Sequence, residues 1–133
     1  MTDTTTTDQP VDPALVDVVD SYIAGLNEAD ATRRAELVRT AWAEDAKFWD
    51  PLAEATGHEQ IAGLADVAAQ MFPGARFART SGIDTHHDFV RFGWALQGAD
   101  GAAIVEGIDV GIVGDDGRLT RIVAFFGDVP PRG

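Results

Sequence analysis

The sequence contains no cysteine among its 133 residues. Disulfide frameworks, thiolate nucleophiles and cysteine-ligated zinc are therefore excluded, and the composition is compatible with a reducing compartment. Basic residues are also scarce, because 10 Lys and Arg stand against 22 Asp and Glu, for a formal net charge of −12. Such a negative field repels phosphate backbones and anionic lipid surfaces, so we expect neither nucleic acid nor a membrane as a partner.

Long apolar runs and targeting signals are missing as well. Residues 1–9 carry Thr and Asp where a signal peptide needs positive charge followed by an apolar segment. No stretch approaches membrane-spanning length, so a soluble, cytoplasmic protein is expected. With 45% hydrophobic residues the chain should form one domain over residues 12–128, between a disordered N-terminal tail, 1–11, and a C-terminal tail, 129–133.

Apolar residues recur at helical spacing in the first half of the chain. This periodicity predicts three helices, at about 13–27, 31–43 and 61–72. Asp12 before Pro13 is typical of a helix start, and Asp30 is the expected cap of the second helix. Between the second and third helices, a short strand over 47–49 should end at Asp50-Pro51, since proline cannot donate to a strand ladder.

The second half of the chain has the pattern of strands and tight turns. Four strands are predicted, at about 76–85, 89–97, 102–114 and 119–126, and Asp115-Asp116-Gly117 is the strongest of three hairpin signals. Helices followed by hairpin-linked strands indicate an α+β fold. We expect a cone-shaped, curved antiparallel sheet wrapped around the three N-terminal helices.

Asp109 is the first candidate functional residue. It lies inside an apolar strand, where a carboxylate is costly unless it is paired or protonated. Strand alternation places it on one face with Gly107 and Gly111, and the space beside two glycines would suit a binding cavity. The alternative is an acid that faces outward from a half-exposed strand.

Asp50 and Tyr22 are the next candidates, and each also has an ordinary structural explanation. Asp50 follows Trp49, and the dry environment beside an indole suits a general base, although Asp-Pro is also a common turn start. Tyr22, the only tyrosine, lies on the buried stripe of the first helix. Its hydroxyl either bonds a backbone carbonyl, as in a core tyrosine, or points into a cavity.

No pattern of metal ligands is present, so we expect neither a metal nor a cofactor. His86 and His87 are adjacent and would point to opposite faces of an extended strand. The expected ligand is instead a small apolar molecule with a carbonyl group. Its pocket walls, by alternation and helical phase, should be Phe48, Trp49, Met71, Phe92, Trp94 and Phe126.

Three segments of the chain resemble the bacterial ketosteroid isomerases in order and spacing, namely 18–27, 43–51 and 108–127. Over about 13–128 the chain is also similar to the nuclear transport factor two superfamily, which includes SnoaL-like polyketide cyclases. The resemblance implies that Asp50 is the general base and that Tyr22 and a neutral Asp109 donate hydrogen bonds to an oxyanion. Ala65 stands where those isomerases carry a second tyrosine, and Gly111 where they carry an aromatic residue.

Three functions remain open at this point. The first is cofactor-independent proton abstraction α to a carbonyl with allylic isomerisation, and the second is the intramolecular aldol closure of a SnoaL-like cyclase. The acid that those cyclases place on the last strand is missing, because residues 122–125 are apolar. The third is a non-catalytic module that binds a small ligand or dimerises. A homodimer is expected in any case, because Ile108, Val110 and Ile112 form an apolar stripe opposite Asp109.

Overall fold

The computed structural model describes residues 11–133, so the predicted N-terminal tail lies outside the described residues except for Val11. The three helices are α1 (Pro13–Asn27), α2 (Ala31–Ala41) and α3 (Gly57–Met71). The seven strands are β1 (Trp42–Trp49), β2 (Glu54–Thr56), β3 (Arg76–Arg79), β4 (Asp84–His86), β5 (Phe89–Gln97), β6 (Ala103–Val113) and β7 (Leu119–Phe126). Within this range no helix has both the length and the apolar character needed to cross a bilayer.

All seven strands belong to one sheet, in the order β2-β1-β7-β6-β5-β3, with β4 also paired to β5. The sheet is curved and does not close, and together with the three helices it forms the α+β cone predicted from the sequence. One expectation was wrong in detail. Strands β1 and β7 run parallel, whereas the other strand pairs are antiparallel. Strands β1 and β7 are not joined by a hairpin. The connection between them runs through β2, α3 and strands β3 to β6, and a long connection of this kind permits parallel pairing.

Most predicted element bounds are confirmed, but the chain departs from them after α2. This helix ends at Ala41 and Trp42 starts β1, where it is fully buried and pairs with Leu119 on β7. Packing of the indole in the sheet thus overrides the helical phase. The strand predicted over 76–85 is divided into β3 and β4, because the Ser81 hydroxyl accepts the hydrogen bond of the Gly93 amide at 2.7 Å. Strand β2 was predicted as loop, since three residues give no periodic signal.

Two side chains fix the helices against each other and against the sheet. Arg34 of α2 donates to the Glu28 carbonyl at 2.8 Å and to Asp66 of α3 at 3.1 Å. Asn27, the last residue of α1, donates to the Phe77 carbonyl at 2.9 Å and accepts from the Phe77 amide at 2.8 Å. Its amide group thereby satisfies backbone groups of β3 at the sheet edge. These contacts hold α1 in place across the inner face of the sheet.

Among the described residues the buried interior is apolar except for two charged side chains, Asp109 and Arg34, and Arg34 is paired with Asp66. Its fully buried large side chains are those of Val19, Trp42, Val90, Phe92, Asp109, Leu119 and Ile122. Asp109 is the only acid among them. Because a buried carboxyl group needs compensation, its surroundings are the place to look for function.

The outer face of the sheet carries exposed apolar side chains on β6 and β7. Ile108 is 42% exposed and its neighbour across the ladder, Phe125, is 58% exposed. Ile104, Val110 and Ile112 extend the same stripe along β6. We propose that this stripe is the interface of a homodimer, since a contiguous apolar patch on one strand pair is typical of a protein contact.

The proposed dimer predicts that Ile108→Lys produces a monomer, because a lysine charge at the centre of an apolar interface is desolvated without a partner. Ile108 is partly exposed, so the variant should keep the wild-type circular dichroism spectrum. The matched control is Val129→Lys, at a residue 90% exposed outside the sheet, which should leave the dimer intact. Light scattering checks both variants, and a monomeric wild type at micromolar concentration would refute the proposal.

Candidate functional site

A cavity of about 140 Å³ lies between the inner face of the sheet and helices α1 and α3. The three residues singled out as catalytic candidates, Tyr22, Asp50 and Asp109, all line it. Four of the six predicted wall residues line it as well: Phe48, Met71, Trp94 and Phe126. Apart from the three candidates and the Trp94 indole, the described lining is apolar. The arrangement is a small, mostly apolar pocket whose polar groups are contributed by α1, β5, β6 and the turn after β1.

Two predicted wall residues do not line the cavity. Trp49 follows Phe48 in β1, and successive strand residues point to opposite faces, so only Phe48 reaches the pocket. Phe92 lies directly opposite Asp109 in the β5–β6 ladder and packs edge-to-face on Tyr22, with ring centroids 6.3 Å apart. It supports the site from the core and does not touch the cavity.

Helix α3 contributes more residues to the cavity wall than Met71, the one that the sequence predicts. Leu64, Val67 and Ala68 line the cavity together with Met71. Their spacing of three and four residues places them on one face of the helix, so the same periodicity that predicted α3 could have identified them. Phe77 on β3 also lines the pocket, and its role depends on the sheet order, which no local pattern reveals.

The centre of the site is a hydrogen bond between Tyr22 of α1 and Asp109 of β6. The Tyr22 hydroxyl donates to Oδ2 of Asp109 at 2.8 Å, and both side chains are buried. The Tyr22 ring is held by an edge-to-face contact with Trp42, with ring centroids 5.2 Å apart. The structure thus places Asp109 on the inner face, and the partner of Tyr22 is a carboxyl group and not a backbone carbonyl.

Burial of this pair changes the acidity of both groups. Loss of solvation raises the pKa of the Asp109 carboxyl from 3.8 to about 7, and the negative charge of Asp50 adds to the rise, while the hydrogen bond from Tyr22 acts against it. Burial also raises the pKa of the Tyr22 hydroxyl well above its ordinary value, helped by the charge of Asp109. At neutral pH Tyr22 is therefore a neutral donor, and Asp109 exchanges between its neutral and ionised forms.

Asp50 occupies the turn that follows β1, and it lines the cavity as well. Its Oδ1 accepts hydrogen bonds from the backbone amides of Leu52 and Ala53, both at 2.7 Å. The two interpretations of the sequence, turn residue and site residue, therefore both apply to the same side chain. Because both bonds fall on Oδ1, the carboxylate is held in one orientation and Oδ2 is the oxygen that can take up a proton.

The glycines beside Asp109 do not create the cavity, contrary to the sequence-based expectation. A Cβ atom on Gly107 would overlap the Phe125 carbonyl and lie 2.5 Å from the Trp94 ring. On Gly111 it would lie 2.6 Å from both the Arg121 carbonyl and the Ile122 side chain. Both spaces are therefore filled by neighbouring residues. Open space beside the acid is instead provided by a small side chain, since Ala124 pairs with Asp109 across β7 and lines the cavity.

His86, the last residue of β4, and His87, in the turn after it, are exposed and lie outside this cavity. They were expected to point in opposite directions, but their Nδ1 atoms are 3.1 Å apart. The difference arises because His87 has a positive φ of 52°, which turns its ring toward its neighbour. Within residues 11–133 no group of three or more His, Asp or Glu side chains is arranged to hold a metal ion.

Comparison with known proteins identifies relatives by structure. No protein-family model matches the sequence, and no curated protein is significantly similar to it. A solved structure from Agrobacterium tumefaciens C58, provisionally named an isomerase of the SnoaL-like family, is 36% identical with a TM-score of 0.79, covering 86% of this chain and 98% of that one.

Two other solved structures share the fold at lower identity. A protein with a ketosteroid isomerase-like fold from Catenulispora acidiphila, in complex with trimethylamine, is 17% identical with a TM-score of 0.63, covering 80% of this chain and 82% of that one. A provisionally named SnoaL-like polyketide cyclase from Jannaschia sp. CCS1 is 15% identical with a TM-score of 0.63, covering 89% and 90%.

The α+β cone is the nuclear transport factor two-like fold. The chain belongs to the SnoaL-like family, as its identity and coverage with the Agrobacterium protein show. The resemblance found in the sequence is thereby confirmed at the level of family and fold.

The raised pKa of Asp109 predicts a characteristic dependence of stability on pH. Below about pH 4 the group is protonated in both the folded and the unfolded chain, whereas between about pH 4 and 7 the folded chain binds more protons. The free energy of unfolding should therefore fall across this interval, by up to about 4 kcal/mol from this group. The Asp109→Asn side chain cannot titrate, but its amide oxygen can still accept the hydrogen bond from Tyr22. The free energy of unfolding of this variant should therefore lack the decrease that Asp109 causes.

Urea unfolding at several values between about pH 4 and 8 gives the free energy of unfolding of wild type and of Asp109→Asn. The other carboxylates contribute equally to both proteins, so the difference between the two free energies reports Asp109 alone. The variant should gain stability relative to wild type as the pH rises. Parallel stability curves would mean that Asp109 has an ordinary pKa in the folded protein.

Proposed function

We propose that the protein is a cofactor-independent isomerase that removes a proton from the carbon α to a carbonyl group of an apolar ketone and returns it to another carbon. The observation that carries this proposal is the convergence of Asp50 and the Tyr22–Asp109 pair on one apolar cavity. One carboxylate can act as a base while the other, in its neutral form, donates a hydrogen bond. The provisional isomerase name of the Agrobacterium relative supports the same reaction class.

In the first step the Asp50 carboxylate takes the α proton through Oδ2. The electron pair of the broken C–H bond moves into a carbon–carbon double bond, and the carbonyl oxygen becomes an enolate oxygen. That oxygen needs a hydrogen-bond donor in a dry environment, where such donors are most effective. Neutral Asp109 provides it, since Tyr22 occupies Oδ2 and leaves Oδ1 for the acid proton.

In the second step the protonated Asp50, which is partly exposed and can exchange its proton with water, delivers a proton to the γ carbon of the dienolate. The double bond is then conjugated with the carbonyl group, and the Asp50 carboxylate is restored. No redox change is needed, and no proton is gained or lost overall. Its two amide hydrogen bonds hold Asp50 in the turn throughout, so the carboxylate can serve both carbons with little movement of the backbone.

The polyketide cyclase reaction is the main alternative, because the Jannaschia structure shows that the fold is found among proteins so named. An aldol closure also begins with an enolate, so the same three residues could assist it. What the chain lacks is an acid on β7, where Ile122 is buried and Ala124 lines the cavity. A product with a new carbon–carbon bond would favour this alternative, and ligand binding without proton exchange would favour a non-catalytic pocket.

The proposed mechanism predicts that Asp50→Asn loses exchange of α protons in a β,γ-unsaturated ketone, by a factor on the order of 10² to 10⁴, because an amide cannot accept the proton. The same variant should bind phenols at least as tightly as wild type, since the negative charge that opposes a phenolate is removed. Deuterium exchange followed by NMR and phenol titrations measure the two effects.

Tyr22→Phe is the comparison variant, because it deletes the hydroxyl that donates to Asp109 and leaves the base, Asp50, in place. This variant should weaken phenol binding and lower exchange together. Exchange that persists unchanged in Asp50→Asn would refute the assigned base, and a wild type that binds phenols but exchanges no proton would refute the isomerase function.

A further inference from the structure

Two buried polar atoms in the cavity wall have no hydrogen-bond partner among the described residues. They are Nε1 of Trp94 and Oδ1 of Asp109. Trp94 is 6% exposed and Asp109 is 1% exposed, and both residues line the cavity. Because buried polar groups are almost always paired, two unpaired atoms in one small pocket need an explanation.

The fold brings the indole onto the strand that carries Asp109. Trp94 pairs with Gly107 of β6, two residues before Asp109 on the same face. A Cβ atom on Gly107 would lie 2.5 Å from Cζ2 and 2.8 Å from Cε2 of the indole, and Cε2 is bonded to Nε1. The edge of the ring that carries the N–H therefore lies directly against β6, in a position that only glycine permits.

Neighbouring aromatic rings hold the indole in this orientation. The Phe126 ring packs against Trp94 edge-to-face with centroids 5.5 Å apart, and the Phe77 ring packs at 6.1 Å. Both phenylalanines also line the cavity. The indole is thus a fixed part of the wall, and its N–H group is preorganised.

The chemistry of the two unpaired atoms determines which ligand group they can bind. An indole N–H is a donor only, and Oδ1 of neutral Asp109 carries the acid proton because Oδ2 already accepts from Tyr22. Two donors with no acceptor between them match a single acceptor oxygen, such as that of a carbonyl, an enolate or a phenolate. A ring of benzene size suits the volume of about 140 Å³, since a dry cavity of about 150 Å³ accommodates benzene.

We propose that Trp94 is a ligand-binding residue, whose indole N–H and Oδ1 of Asp109 together hold the acceptor oxygen of a planar carbonyl or phenol ligand. This inference rests on the proposed function, because it names the donors that meet the reacting oxygen there. Tyr22 is then a positioning residue, which acts on the oxygen through Asp109. In the competing arrangement the Trp94 N–H donates to Oδ1 of ionised Asp109, an interaction that lowers the pKa of that carboxyl group, and Trp94 has a structural role only.

The test compares 4-methylphenol with p-xylene, two ligands of similar size that differ in the acceptor oxygen. Trp94→Phe changes the wall for both ligands, so the hydrogen bond is measured by their difference: binding of 4-methylphenol should weaken about tenfold more than binding of p-xylene, the effect of one hydrogen bond to a strongly polar oxygen. The control is Trp49→Phe, the same substitution at a residue that does not line the cavity. It should change neither affinity.

A second measurement needs no variant. In protein labelled with ¹⁵N, the Trp94 indole signal, assigned through its contacts with the Phe77 and Phe126 rings, should move downfield on addition of 4-methylphenol. It should not do so on addition of p-xylene.

The outcomes separate this inference from the proposed function. If 4-methylphenol binds wild type and Trp94→Phe equally and leaves the indole signal in place, the inference is overturned and Trp94 is structural. If wild type does not bind 4-methylphenol at all, the inference is overturned as well. A Trp94-dependent affinity in a protein that exchanges no α proton would support the inference and refute the isomerase function.

Discussion

The structure depends on keeping a carboxyl group in an apolar interior. Asp109 is fully buried, and its carboxyl group accepts a hydrogen bond from the Tyr22 hydroxyl at 2.8 Å. Because a buried ionised carboxylate is costly, the group is driven toward its neutral form, which raises its pKa to about 7. The same burial that destabilises the charged acid produces a neutral carboxyl donor near physiological pH.

The surrounding architecture serves to hold that pair and leave space next to it. Asn27 fixes the end of α1 to strand β3, which positions Tyr22 over the sheet. Ala124 is small enough to leave space beside Asp109, while Gly107 lets the Trp94 indole lie against β6. The cavity is therefore produced by differences in side-chain size along neighbouring strands.

Local patterns in the sequence predicted those elements whose signals are local. Helix α1 begins with an aspartate cap and a proline, and Asp12 accepts a hydrogen bond from the Ala14 amide as that pattern requires. Trp42 was placed on a helix because its strand partner, Leu119, is distant in the chain. Asp109 could be identified as a candidate from the sequence, because it is an acidic residue within an apolar strand. The role of Gly107 could not, because it depends on which ring crosses the neighbouring strand.

The protonation of Asp109 is the central claim, and ¹³C NMR of its carboxyl carbon across a pH titration tests it most directly. The account predicts a midpoint at about 7 in the folded protein, with Asp109→Asn identifying the signal by its loss. A midpoint at about 4, the ordinary value for an aspartate, would contradict the account, because the buried group would then be ionised and unable to donate a hydrogen bond at neutral pH.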